Sequence, residues 1–216
     1  MSEPKHERAF NHLLALSDVT VNFARVHRAP RYHDGARESD VEHSYHLALT
    51  AMELASMYQN NLDSGLVVKF CLVHDLPEVH VGDVWTFAIS DEDRALKEEN
   101  ERVATERLLA TLPPVTAGLL ERYEEQREPE ARFVRYVDKL LPAMINIVAG
   151  ESSTFLSDYG VSTAEELAEA RQGHMFKLRH MFPEFEELHD LAQHVHEMSA
   201  LHVLGETSYE HRFKKD

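Results

Sequence analysis

Apolar residues recur along this chain at spacings of three and four, with few alternating β-branched runs, the pattern of amphipathic helices. It predicts helices near 5–27, 40–59, 63–76, 91–111, 114–126, 129–148, 162–181 and 184–204. Turn-forming residues separate them: Pro30 to Gly35, Asn60-Asn61, Gly82-Asp83, Pro113-Pro114 and Gly150 to Gly160. The expected fold class is all-α. A chain of 216 residues is most economically one domain with a sizeable core, so a single unit over 1–216 is expected. The mixed charges of 91–107 predict a solvated helix face, and the polar tail 207–216 predicts a frayed end.

Three of these helices carry ionisable residues where the stripe should be apolar. His43 lines up with Leu47, Ala51 and Leu54 in a helix opened by Ser39 or Asp40; His74 lines up with Val67 and Cys71; Asp138 lines up with Val134, Leu141 and Ile145. Each is expected to point inward. Burying such groups is costly without a compensating partner, and a metal ion is a common one. Asp75 follows His74 directly and projects about 100° around the helix from it, so both reach one ion only near a helix end. Pro77 supplies that end, since it has no amide hydrogen and disfavours helix at Leu76. Pro142 cannot donate to the carbonyl of residue 138, which frees or bends the backbone at Asp138.

The plainer alternatives have weight of their own. A lone histidine on an apolar stripe is more commonly a hydrogen-bonded core residue, and the chain has 15 histidines. His189, His194, His196 and His202 are expected on helix surfaces. Asp138 by itself is as readily an ion-pair partner as a ligand. What favours a ligand set is the combination of His43, then His74-Asp75, then Asp138. Two imidazoles and two carboxylates suit Mn²⁺, Co²⁺, Fe²⁺, Ni²⁺ or Zn²⁺. A six-coordinate ion on four protein atoms keeps positions for water and substrate.

Charge narrows the partners. The 22 basic residues against 38 acidic ones give a formal charge of −16, which argues against nucleic acid or an anionic membrane as a main partner. An anionic substrate would need a local positive spot, made by a metal or a few placed arginines. The single cysteine, Cys71, excludes an internal disulfide and fits a reducing compartment. No apolar run reaches the ~18 residues of a membrane span, and the N-terminal residues lack a signal-peptide core. A soluble, cytoplasmic protein is expected.

The order His43, His74-Asp75, Asp138 resembles the HD-domain metal-dependent phosphohydrolases, and most closely their bacterial 5′-deoxynucleotidase branch. The likeness is carried by Arg28-Ala29-Pro30, by Glu38-Ser39-Asp40-Val41-Glu42-His43-Ser44, by His74-Asp75-Leu76-Pro77-Glu78 continuing to Gly82-Asp83, and by Val137-Asp138-Lys139-Leu140. It spans roughly residues 8 to 182. The resemblance implies a helical bundle with the metal between central helices, a homodimer, and His43, His74, Asp75 and Asp138 as ligands. It also implies Glu78 as the residue orienting or deprotonating the attacking water, Asp83 as a second acid near the water and leaving group, and Arg28 as the phosphate-binding cation. Arg31 and Arg37, in the same loop, are further candidates for phosphate contact.

The chain departs from that branch in two places. Ala29 stands where a bulky aromatic commonly follows the phosphate-binding arginine, and Val84-Trp85-Thr86-Phe87 replaces a more proline-rich segment. Trp85 has two readings, stacking on a base or packing at a helix start. The resemblance implies hydrolysis of a (deoxy)nucleoside 5′-monophosphate to nucleoside and phosphate. The rival readings are a nucleoside triphosphate triphosphohydrolase, a two-iron oxygenase with His80 as the spare ligand, and a non-catalytic metal- or nucleotide-binding dimer.

Overall fold

The computed structural model describes residues 3–32, 34–58, 61–82, 91–149, 161 and 163–210, without the side chains of 91–95, 97–98 and 149. In chain order the elements are α1 (Lys5–Phe23), β1 (His27–Arg31), β2 (Arg37–Ser39), α2 (Asp40–Tyr58), α3 (Ser64–Val73), α4 (Glu78–Val81) and α5 (Asp91–Leu109). They continue with α6 (Pro114–Glu125), α7 (Pro129–Asp138), α8 (Leu141–Ala149), α9 (Ala164–Met181), a 3₁₀ turn (Pro183–Phe185) and α10 (Glu186–Val203). The fold class is all-α, as expected, with one small two-stranded sheet among the described residues, pairing β1 with β2.

The hairpin is the main departure from the predicted elements. The first helix stops at Phe23 rather than 27, and the backbone unwinds through Arg25 N to Asn22 O (3.0 Å) and Val26 N to Phe23 O (3.1 Å). The turn between the strands closes with Tyr32 N donating to Ala36 O and Gly35 N donating to Tyr32 O, both at 2.9 Å. Gly35 sits at φ +83°, which a residue without Cβ adopts at little cost. Asp34 Oδ1 accepts from Ala36 N at 3.0 Å and secures the same turn.

Helix starts follow the side chains available. Ser39 is the cap of α2: its Oγ accepts from Glu42 N (3.3 Å), while Glu42 Oε2 accepts from Ser39 N (2.8 Å), a reciprocal capping box. Asp63 caps α3 by accepting from Gly65 N and Leu66 N at 2.8 and 3.1 Å. Thr163 and Glu166 form a second capping box at α9.

Two predicted helices are broken, and the prolines account for it. The predicted 63–76 helix ends at Val73; beyond it Leu76, Glu78, Val79 and His80 donate to carbonyls three residues back. The predicted 129–148 helix is two helices, interrupted at Lys139 and Leu140, where Leu140 N donates to Val137 O at 2.9 Å. The expected bend at Asp138 is therefore a full break.

The chain divides into two compact units, one of Met1–Arg28 with Ser39–Val134, the other of Ala29–Glu38 with Arg135–Asp216. In the first, α2 packs on α3 and α3 on α6. Leu47, Ala51, Ala55, Val67, Phe70, Cys71 and Leu120 form its buried centre. The Phe70 ring lies 6.0 Å from that of Tyr123, with the Arg122 guanidinium 5.5 Å over the Phe70 face. α1 buries Phe23 but presents Phe10, Leu13, Leu14 and Val21 outward.

In the second unit α8 and α9 pack on α10. Tyr136 is fully buried, edge-on to Phe182 and Phe185 at 5.6 and 5.7 Å, and its hydroxyl is 3.1 Å from His189 Nδ1. The histidines of α10 were expected on its surface. His189 and His202 are buried instead, and His196 is half-buried against His174, with ring centroids 4.8 Å apart; only His194 is exposed. His189 Nδ1 meets the Tyr136 hydroxyl and His202 Nδ1 lies 2.8 Å from the Met198 carbonyl, so these two imidazoles serve as core residues. No helix among the described residues is long and apolar enough to cross a membrane.

Candidate metal centre

The site in the first unit is assembled by α2, by the turn that follows α3, and by the root of the hairpin. His43 lies one turn into α2 on the same face as Leu47 and Ala51, and all three are fully buried. His74 caps the C-terminus of α3 and is buried beside Val67 and Cys71, as the stripe predicts. The chain tightens directly after it, so His74 and Asp75 leave the helix end together. One ligand atom each from His43, His74 and Asp75 lies within 4.8 Å of the others.

Protonation is set locally. His74 Nδ1 lies 2.9 Å from the Cys71 carbonyl, and only a protonated Nδ1 can make that contact, which turns Nε2 toward Asp75. That Nε2 is 3.0 Å from Asp75 Oδ2, and His43 Nε2 is 3.9 Å from the same oxygen. The two imidazole centroids are 5.3 Å apart, and Tyr123 meets the His74 ring edge-on at 6.1 Å.

On its other side Asp75 Oδ2 accepts from Arg28 Nη1 at 2.5 Å. The same guanidinium nitrogen is 3.7 Å from Asp40 Oδ1 and 4.0 Å from Glu78 Oε2. Burial alone would raise the Asp75 pKa. His74, Arg28 and His43 outweigh it and hold the carboxyl well below the usual range.

The donor set fits a divalent cation. Two imidazole nitrogens converge on a carboxylate oxygen in a buried place, a hard–borderline mixture suited to first-row metals. Asp40, Asp75 and Glu78 set three carboxyl groups around the guanidinium of Arg28, an acid-rich surrounding that would favour a divalent ion. His43, His74 and Asp75 would hold it.

The other predicted residues are placed as follows. Glu78 is the first residue of α4, half-buried, facing Arg28. Asp138 is the last residue of α7, half-buried, in the second unit. Arg31 Nη1 donates to Gly35 O at 3.1 Å within the hairpin, and Arg37 is exposed on β2. His80, the spare ligand of the oxygenase reading, is exposed on α4. Asp83 and Trp85 lie outside the described residues.

Sequence reasoning missed the part played by Asp40, considered only as a helix cap. Its carboxylate is fully buried beside Arg28. The available signal was its spacing: an acid three residues before His43 shares the inward face of α2.

Comparison with known proteins agrees with this geometry. Over 109 residues the chain is 34% identical to the 5′-deoxynucleotidase HDDC2 of Xenopus laevis, and over 104 residues 32% identical to that of Homo sapiens; each match covers 47% of this chain and 50% of the relative. The chain thus spans about half the length of the curated relatives it matches. Among solved structures it is similar to a predicted metal-dependent phosphohydrolase from Magnetospirillum magnetotacticum, with a TM-score of 0.68 and 25% identity over 95% of this chain and 99% of that one. A conserved hypothetical protein from Pyrococcus furiosus shares the fold, with a TM-score of 0.56 and 23% identity over 84% of this chain and 99% of that one. The HD domain model matches residues 23–174, well over half the chain, and this protein belongs to the HD domain family.

Proposed function

We propose that the protein is a metal-dependent phosphohydrolase that removes the 5′-phosphate of (deoxy)nucleoside monophosphates, giving nucleoside and phosphate. One observation carries this reading. A single carboxylate, Asp75, stands between two buried imidazoles and an arginine, which supports a cation site beside a phosphate-binding group. The 5′-deoxynucleotidase relatives support the substrate class.

In this reading Asp138 is the fourth ligand, and the HD domain acts as one unit over 1–216. A divalent ion held there would polarise a phosphoryl oxygen and acidify a water molecule. Glu78 orients that water and accepts its proton. Arg28 gives its planar fork to the phosphate oxygens and stabilises charge that develops on them. Asp83 assists at the leaving oxygen, Trp85 is a candidate for stacking on the base, and Arg31 and Arg37 add positive potential. We place the enzyme in the cytoplasm as a homodimer, for which the outward apolar row Phe10, Leu13, Leu14 and Val21 offers a surface.

A panel of nucleotides with Mn²⁺, Co²⁺, Fe²⁺, Ni²⁺ and Zn²⁺ tests the reading. Orthophosphate release from monophosphates, abolished by a chelator, is expected. Release of triphosphate would favour the triphosphohydrolase, and no chelator-sensitive turnover on any nucleotide would overturn the proposal. Light scattering across a concentration series reads the dimer.

A further inference from the structure

We propose that Asp40 is the positioning residue for Arg28, a role that rests on the phosphohydrolase reading. Arg28 Nη1 faces three carboxylates: Asp75 at 2.5 Å, Asp40 at 3.7 Å and Glu78 at 4.0 Å. Two of the three have other duties in the reaction. Asp75 turns its charge to the metal, and Glu78 turns its charge to water. Both duties weaken the hold on Arg28 at the moment it must meet phosphate. Of these three, Asp40 is the one that the chemistry leaves in place.

Its setting suits that task. The Asp40 side chain is fully buried while that of Arg28 is 12% exposed, so the pair is screened little by solvent. Asp40 N also donates to Val26 O at 3.1 Å, which ties the first turn of α2 to the strand root two residues before Arg28. Main chain and side chain of one residue therefore fix both the backbone and the charge of the arginine. Capping does not account for the carboxylate, because Ser39 and Glu42 already form the capping box. An acid near a helix N-terminus does stabilise the helix, so the test must separate positioning from stability.

Asp40→Asn keeps the shape and removes the charge. With the metal-loaded enzyme and a nucleoside monophosphate, we expect metal content to be retained and kcat/KM to fall ~10–100-fold, mostly through KM. Inorganic phosphate should bind more weakly by a similar factor, and the Arg28 Nε–Hε resonance should shift. In an Arg28→Ala background the same substitution should add little to the loss. Asp40→Glu should recover part of the affinity. A lowered Tm with unchanged KM, unchanged phosphate affinity and an unmoved Arg28 resonance would overturn the role, as would fully additive losses in the double variant. If the parent protein hydrolyses no nucleotide, the substrate reading fails, and the phosphate titration and the Arg28 resonance still decide the role of Asp40.

Discussion

The His174–His196 pair between α9 and α10 makes stability depend on pH in a defined window. Burial, then the positive groups of His196, Lys139 and Lys177, lower the His174 pKa to about 4. Burial and Arg171 lower that of His196 to about 4 as well. An open chain binds these protons near pH 6.5, so between pH 6.5 and 4 the unfolded state holds protons that the folded state refuses. Stability therefore rises with pH across this window, is full above 6.5, and stops falling on this account below 4. The gap is equivalent to about 3 kcal/mol for one such histidine. His196 is among the causes that depress His174, so the pair does not give twice that amount. Asp75 has a carboxyl held below its open-chain range; its contribution is kept above that range and is lost only at lower pH, outside the window. Urea unfolding at half-unit intervals from pH 4.5 to 7.5 measures the slope for the parent, for His174→Gln and for the His174→Gln/His196→Gln double variant. The double variant should be flatter by up to about 1.4 kcal/mol per pH unit for each proton-linked ring removed. Superimposed profiles for parent and double variant would refute the argument, because the difference between them cancels every other titrating group.

Three further outcomes are expected. Asp75→Ala should abolish both bound metal, measured by elemental analysis, and phosphate release; retention of both would remove the central ligand assignment. Glu78→Gln should keep the metal while lowering kcat by ~10²–10⁴, the usual span for loss of a general base; full turnover would show that Glu78 does not act on water. Ser39→Ala removes one half of the capping box at α2 and should cost ~1 kcal/mol in thermal or urea unfolding, with no loss if the cap is redundant.

Much of this arrangement was legible in the chain because helices impose a strong period. His43 and His74 could be placed inward from their alignment with Leu47, Ala51, Val67 and Cys71, all of which are fully buried. Pro77 correctly announced a helix end beside His74 and Asp75. The hairpin was not legible, since residues 27–39 have no alternating pattern and their two short strands are held by a turn and by Asp40. Arg28 could be named from resemblance, but its sharing between three carboxylates depends on how the strand root meets α2 and α3. The histidines of α10 misled for a related reason. Sequence shows a polar side chain, and only packing shows the carbonyl or hydroxyl that receives it, such as Tyr136 for His189.

The contact between His74 Nδ1 and the Cys71 carbonyl spans only three residues. The orientation of this imidazole is therefore written into a single helical turn and uses a main-chain oxygen that no substitution of the Cys71 side chain removes. Inheritance of this candidate ligand's aim needs little beyond the helix itself.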